Sequence, residues 1–512
     1  MSLESTAVGD NSHREAGAAR DCMLFLGLAL LLRVAYLLVT PRILDTADAI
    51  HYIDTAKHFA AGDFWQFNAK IPPLYPLLAA LVHVVVSDYE WAFCIVSLVA
   101  STLLIIPAYG LSRDLHGSRA ARIAALIVSI WPWLIDYASR VGPDALGCTL
   151  WLLSVWLFAR GVRSGGGWLA AAVLALVGLH LTRAEGTVII AAAFVGALIL
   201  CLGTENRALW RLIPFAMGCA ILLGAYAIYM RAVTGAATVN YRIQFIIAEF
   251  SFTRFAATGV RSFSDVLPVM LGPVLLVFMG VGLFHRGGIA DARQAVSFPR
   301  DPRLELYVLF FVAAQWFISL FVLSPEPRYL MSVIVALSLW SARGVAIVSA
   351  QAIVHPWGRT LRWAPMGVVV FLMLLGSAIS VGSQFLHRQP AQPLEYKAAG
   401  EWMRENLTRG LVFTRKPQVG YYAGMPSSGP DLNDTLAQAI GRAKAVGARY
   451  VVVDERYTAK MVPGIAPLLD PALAPPTLRL LKIFDLYPES RVVVYEITDV
   501  QESSQRRGAE ER

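Results

Sequence analysis

A chain of 512 residues that is 56% hydrophobic and only 16% charged is too apolar for an ordinary soluble protein, and it reads as a polytopic membrane protein. Its net charge of +8 does not point to nucleic acid, because the arginines stand in short clusters between apolar runs, where they set membrane topology. Five scattered cysteines, Cys22, Cys94, Cys148, Cys201 and Cys219, none in CxxC spacing, indicate neither a zinc site nor a disulfide framework.

Residues 1–21 are polar and are expected in the cytoplasm. The apolar run 22–40 lacks a small-residue cleavage site and reads as an uncleaved anchor. Further runs long enough to cross a bilayer as helices lie near 91–111, 119–138, 143–160, 167–183, 185–203, 209–231, 265–285, 304–323, 328–346 and 364–386, which makes eleven expected spans. "LYPLLAALVHVVV" at 74–86 is short for a crossing, and Pro72 and Pro73 before it suit a helix start, so it reads as a juxtamembrane or re-entrant helix.

With that choice the arginine clusters around Arg113, Arg122, Arg160, Arg207 and Arg362 fall inside, as the positive-inside rule requires. Counting 74–86 as a full crossing would invert everything after it. The first loop, 41–90, then shares the extracytoplasmic face with "SRVGPD" at 139–144, "TRAEG" at 182–186 and "SPEPRYL" at 324–330. The loop 232–264 also lies there and reads as amphipathic, suited to rest on the membrane surface.

The transmembrane domain is expected over 22–386. Beyond it the pattern turns soluble, with helix-like "EYKAAGEWMREN" and "DTLAQAIGRAKAVG" and strand-like "LVFTR", "RYVVVDE", "LRLLKIFDL" and "RVVVYEI". This predicts a small extracytoplasmic α/β domain over 387–500, followed by a disordered tail, 501–512.

Each polar segment offers chemistry beside a plainer role. On a helix starting near Asp45, Asp48 stands one turn before Tyr52, yet Asp45 and Asp48 equally suit capping and the helix dipole. Asp54 and Asp63 read as solvated surface residues. Lys70 in "AKIPPLYP" suits an anionic phosphate or simple snorkelling at the interface. Asp144 follows Gly142 and Pro143 at the start of a span, Arg183 and Glu185 suit a self-neutralising turn, and Arg328 and Tyr329 close another turn. Arg33 lies within a span, which implies either function or an internal structural partner.

The order of these segments resembles the polyprenyl-phosphate-sugar glycosyltransferases of the GT-C class, the branch holding protein mannosyltransferases and the lipid A aminoarabinose transferase. "DAIHYIDTAKHFAAGDF" looks like that branch's first-loop signature, and "KIPPLYPLLAAL" is similar to its Lys-Pro-Pro-Leu-Tyr segment. "RVGPDALG", "LTRAEGTVI" and "PRYLMSVIVAL" resemble later landmarks in the same order. Ala49 stands where the family commonly has Glu, and Ile71 separates Lys70 from the proline pair.

The resemblance implies a GT-C-like membrane fold and an enzyme that moves a sugar from a polyprenyl-phosphate donor to a lipid, glycan or protein acceptor. Asp48 would be the general base, with Asp144 orienting the acceptor or the base. Lys70, Arg183 and Arg328 would hold the donor phosphate, and Tyr52, Glu185 and Tyr329 would line the substrate pocket. Single displacement would invert the anomeric centre. No metal or other cofactor is indicated, with a divalent cation left open; the setting implied is a bacterial inner membrane with the site outside. A transporter or lipid flippase and a non-catalytic membrane scaffold are the competing readings.

Overall fold

The computed structural model describes residues 3–66, 71–201, 210–235, 251–285, 301–321, 326–354, 363–386 and 393–498. The tail 501–512 and the central part of loop 232–264 lie outside them. Two compact units emerge, one built from residues 1–42 and 52–378 and the other from residues 43–51 and 379–512.

In the first unit the helices are α1 (Leu3–Val39), α2 (Asp48–Ala60, whose first residues belong to the second unit), α3 (Leu74–His83), α4 (Tyr89–Leu103) and α5 (Ile105–His116). They are followed by α6 (Ser118–Ile130), α7 (Pro132–Tyr137), α8 (Asp144–Ser164), α9 (Gly167–His180), α10 (Gly186–Cys201) and α11 (Leu212–Thr234). Then come α12 (Phe252–Arg261), α13 (Leu267–Phe284), α14 (Pro302–Ser319), α15 (Pro327–Val354) and α16 (Ala364–Leu386, whose last residues belong to the second unit). Each of the eleven expected spans overlaps helix among the described residues. Among the described residues, six helical stretches are long and apolar enough to cross a membrane by length and composition alone. The chain is a multi-pass helical membrane protein.

The short segment expected beside the membrane is the ten-residue α3, whose Leu74 N–H donates to the Leu181 carbonyl at 2.9 Å. The stretch expected as one span over 119–138 is instead two helices, α6 and α7, broken at Trp131. Pro132 causes the break, because it has no N–H and disfavours helical backbone in the residue before it.

That break explains Arg33. Its side chain is fully buried, with Nε donating to Ser101 Oγ at 2.8 Å. Nη1 donates to the Ser129 carbonyl at 3.0 Å and Nη2 to the Val128 carbonyl at 3.1 Å. The Val128 carbonyl would ordinarily accept from residue 132, a proline, so the guanidinium supplies the missing donor. Arg33 is therefore a structural clamp joining α1, α4 and α6. Arg33→Leu is expected to cost about 2–5 kcal/mol by stranding these buried acceptors; thermal unfolding of the detergent-purified protein would measure it.

Helices α13 and α15 meet through bare backbone. A Cβ on Gly282 would lie 2.0 Å from the Trp340 carbonyl oxygen, and one on Gly344 would lie 1.9 Å from that of Phe278. Such small-residue contacts substitute for a hydrophobic drive between helices in lipid. At α12, Phe252 and Val260 are exposed apolar residues, in keeping with an amphipathic segment.

The helix carrying Asp48 begins later than the sequence suggests. Residues 41–45 are not helical, and α2 opens at Asp48 itself, with Asp48 in its first turn and Asp45 before it. The reason is tertiary: Ile43 and Leu44 are buried, and the Leu44 N–H is taken by the Tyr422 hydroxyl at 2.9 Å. Asp54 is exposed, whereas the Asp63 carboxylate accepts from the N–H groups of Trp65 and Gln66 and closes a turn.

The second unit holds a five-stranded sheet with strands β1 (Leu411–Thr414), β2 (Ser427–Ser428), β3 (Ala448–Asp454), β4 (Leu478–Phe484) and β5 (Val492–Ile497). Their spatial order is β2-β1-β3-β5-β4, with β1 parallel to β2 and β3, and β5 antiparallel to β3 and β4. Helices α17 (Leu394–Asn406), α18 (Pro417–Ala423) and α19 (Leu436–Ala445) accompany it. Strand period sends Val412, Tyr450 and Val452 into one core with Tyr396 and Met403, and Phe413, Val451 and Val453 into another with Ala439 and Ala443.

Candidate active site

Helix α8 begins at Asp144, which sits in its first turn directly after Pro143 and is 8% exposed. The turn before it is braced by α3 and α4. The buried Tyr75 hydroxyl accepts the Gly142 N–H at 2.9 Å and shares a hydrogen bond with Ser97 Oγ at 2.8 Å, while Ser97 Oγ donates to the Arg140 carbonyl at 3.0 Å. The proline-led segment at 72–76 thus fixes where α8 starts.

The turn 181–185 between α9 and α10 delivers the partner. The Arg183 N–H donates to the Leu179 carbonyl at 2.8 Å and the Gly186 N–H to the Arg183 carbonyl at 3.0 Å. Gly186 is what lets the turn close so tightly: a Cβ there would lie 2.5 Å from His180 Cα. The Arg183 side chain then lies along α8, over Gly147, where a Cβ would sit 2.4 Å from Arg183 Cδ. Asp144 and Gly147 are three residues apart and share one face of α8, so acid and bare backbone together form the cradle.

In that cradle Arg183 Nη1 donates to Asp144 Oδ1 at 2.5 Å and Nε donates to Glu185 Oε1 at 2.5 Å. Its guanidinium carbon lies 5.5 Å from the centre of the Tyr329 ring, and that of Arg328 lies 4.9 Å from the same ring. Arg328 Nε is 2.6 Å from a Glu326 carboxylate oxygen, an ionic contact without hydrogen-bond alignment. The two arginines differ in consequence. Arg183 is 12% exposed and held by two carboxylates, whereas Arg328 pairs with a carboxylate whose side chain is 47% exposed. Solvent weakens the second pair, so an incoming anion displaces Glu326 more easily than it displaces Asp144.

Asp144, Gly147, Cys148, Trp151, Leu179, Arg183, Glu185, Gln315, Arg328, Tyr329 and Ser332 line one small cavity. Two of these offer unpaired polar atoms: Gln315 Oε1, an acceptor on a residue 4% exposed, and Trp151 Nε1, a donor on a residue 1% exposed. Unmatched polar atoms in a closed site are costly unless water or a ligand meets them. Among the described residues, no group of three or more His, Cys, Asp or Glu gathers to hold a metal ion.

Residues 70–239, which include Asp144, Arg183 and Glu185, match the model of the dolichyl-phosphate-mannose-protein mannosyltransferase family. Crystal structures of ArnT from Cupriavidus metallidurans, apo and bound to undecaprenyl phosphate, match with TM-scores of 0.62 and 0.60 at 16% identity, each covering 92% of this chain and 97% of that one. The archaeal oligosaccharyltransferase AglB from Archaeoglobus fulgidus, in complex with an inhibitory peptide and a dolichol-phosphate, matches with a TM-score of 0.58 at 12% identity, covering 87% of this chain and 72% of that one. The chain has the GT-C fold. No curated protein matches it.

Within this GT-C fold, five of the residues expected at the site from the sequence come together: Asp144, Arg183, Glu185, Arg328 and Tyr329. Tyr52 packs edge-on against Tyr75 with ring centroids 5.5 Å apart, which ties it to the residue that braces the Gly142 turn. Asp48 belongs to the other compact unit, and Lys70 lies outside the described residues. Sequence reasoning missed Tyr75, Gly147, Trp151 and Gln315. Tyr75 stands inside a segment already singled out, but the other three look like ordinary helix residues until Arg183 and the cavity are in place.

Gly147→Ala tests the cradle directly. The added methyl meets a mid-chain carbon of an arginine held at both ends, so overpacking of about 1–3 kcal/mol and loss of the Asp144 contact are expected. The unfolding temperature should fall in this variant, while Gly224→Ala in α11, whose Cβ would meet nothing within 4 Å, should not lower it.

Proposed function

We propose that this protein is an integral-membrane glycosyltransferase that moves a sugar from a polyprenyl-phosphate donor to a lipid, glycan or protein acceptor at the extracytoplasmic face. The observation that carries the reading is the Asp144–Arg183–Glu185 cluster beside Arg328, lying within or next to a segment that matches dolichyl-phosphate-mannose transferases on a GT-C-fold chain. ArnT in complex with undecaprenyl phosphate and AglB with dolichol-phosphate support a lipid-phosphate donor.

In the proposed reaction, Asp48 takes the proton of the acceptor nucleophile as that atom forms a bond to the anomeric carbon. The bond from that carbon to the phosphate oxygen breaks, and its electrons leave with the polyprenyl phosphate. Inversion of the anomeric centre follows. The leaving group is already a stabilised anion, so it needs cationic contacts rather than a proton; Arg328 and Lys70 supply them. Arg183 contributes chiefly by fixing Asp144 and Glu185, since its own charge is already matched by both. Gln315 and Trp151 offer an acceptor and a donor to a sugar hydroxyl in the same cavity. Domain boundaries near 22–386 and 387–500, an outside C-terminal domain and a bacterial inner-membrane location belong to the same proposal.

The test supplies the purified protein with polyprenyl-phosphate-linked sugars in lipid and follows release of polyprenyl phosphate. In parallel, mass spectrometry compares envelope glycolipids, polymers and glycoproteins from cells with and without the gene. Loss of one sugar substituent together with donor turnover is expected. An unchanged glycan profile with no turnover of any donor would sink the assignment.

A further inference from the structure

We infer that the C-terminal α/β domain has a positioning role for the proposed base, exerted through Tyr422. This rests on the reading of Asp48 above and adds a residue that the reading does not contain. Residues 43–51 cluster with 379–512 rather than with the helices on either side of them in sequence. The tie is specific: the Leu44 backbone N–H donates to Tyr422 Oη at 2.9 Å, across 378 residues of sequence.

Both partners are buried. Leu44 is 0% exposed and Tyr422 5% exposed, so without the hydroxyl this N–H would be left without its acceptor in a closed environment. The segment is not helical until Asp48, four residues beyond Leu44. A stretch without regular structure of its own takes its course from whatever holds it.

The Tyr422 ring is itself held firmly. The Lys397 ammonium lies 5.1 Å from its centre, and the Tyr421 ring meets it edge-on with centroids 5.3 Å apart. Helix α17 approaches α18 so closely at Gly400 that a Cβ there would sit 2.5 Å from Tyr422 Cβ. A rigid tyrosine at the end of two packed helices therefore sets the position of Leu44, and Leu44 sets the entry of the helix whose first turn carries Asp48. Tyr422 acts through the backbone and touches no reacting atom in this scheme.

Tyr422→Phe removes the hydroxyl alone and keeps the ring packing. Hydrogen exchange followed by mass spectrometry on the full-length, detergent-purified protein should show the peptide containing Leu44 exchanging roughly tenfold faster, with the β3 and β5 peptides unchanged. In the transfer assay kcat should fall several-fold while KM for the lipid-linked donor stays constant, because the base is displaced and donor contacts are not. Tyr422→Leu should shift both readouts further in the same direction. Unchanged exchange at Leu44 in Tyr422→Phe would overturn the anchor whatever the activity. Faster exchange with an unchanged kcat would overturn the positioning role. Faster exchange in a protein whose wild type transfers no sugar would leave the anchor standing and remove the glycosyltransferase reading instead.

Discussion

Arg183→Ala is expected to abolish sugar transfer and to lower stability by about 3–5 kcal/mol, the cost of leaving buried charge uncompensated. Two carboxylates, Asp144 and Glu185, share this one guanidinium at 2.5 Å each, and their side chains are only 9% and 21% exposed. Without it the two acidic side chains lose their shared donor and the turn 181–185 loosens. That removes the ordered cluster at the mouth of α8. Thermal unfolding and donor turnover in the same preparation measure both halves. Arg183→Lys separates charge from geometry: a lysine brings a point charge but cannot send two fixed donors to separate carboxylates while facing the Tyr329 ring. Transfer should therefore remain far below wild type although some stability returns. A wild-type unfolding temperature in Arg183→Ala would show that the cluster is not load-sharing at all.

Asp48→Asn is expected to reduce transfer by about 10²–10⁴-fold, the usual contribution of a positioned general base. Protein abundance should not change, because Asn matches the shape of Asp and is tolerated at a helix start. Asp48 lies in the first turn of α2, so loss of its charge removes only a modest dipole interaction, about 0.3–1 kcal/mol. Activity in membranes, normalised to protein by blotting, checks this. Full turnover in the Asn variant would reassign the base, and Asp144 would be the next residue to replace.

The two predictions draw on different levels of information. Asp48 was singled out by the resemblance of the first loop to a family motif, and a helix carrying it from near Asp45 was legible in the sequence. The start of that helix was not. The chain is not helical through Asp45, where the Leu44 N–H finds its acceptor on a tyrosine 378 residues away, and no local preference encodes that. Arg183 was legible as a charged turn with Glu185, but the third member, Asp144, joins only because Gly147 leaves room on α8. Arg33 was open between a functional and a structural role until the carbonyl freed by Pro132 appeared beside it. In the C-terminal domain, helix and strand patterns gave α17, α19, β1, β3, β4 and β5 but not α18 or β2, and the pairing order came from tertiary packing.

The amino-acid sequence alone determined the membrane class, the helical segments and the order of the polar motifs, since each depends on local hydropathy and period over one helix or strand. Which of those motifs meet was decided by the tertiary structure. Bringing charge to charge in an apolar interior depends on close backbone approach at Gly147 and Gly186 and on hydrogen-bond acceptors supplied from distant elements.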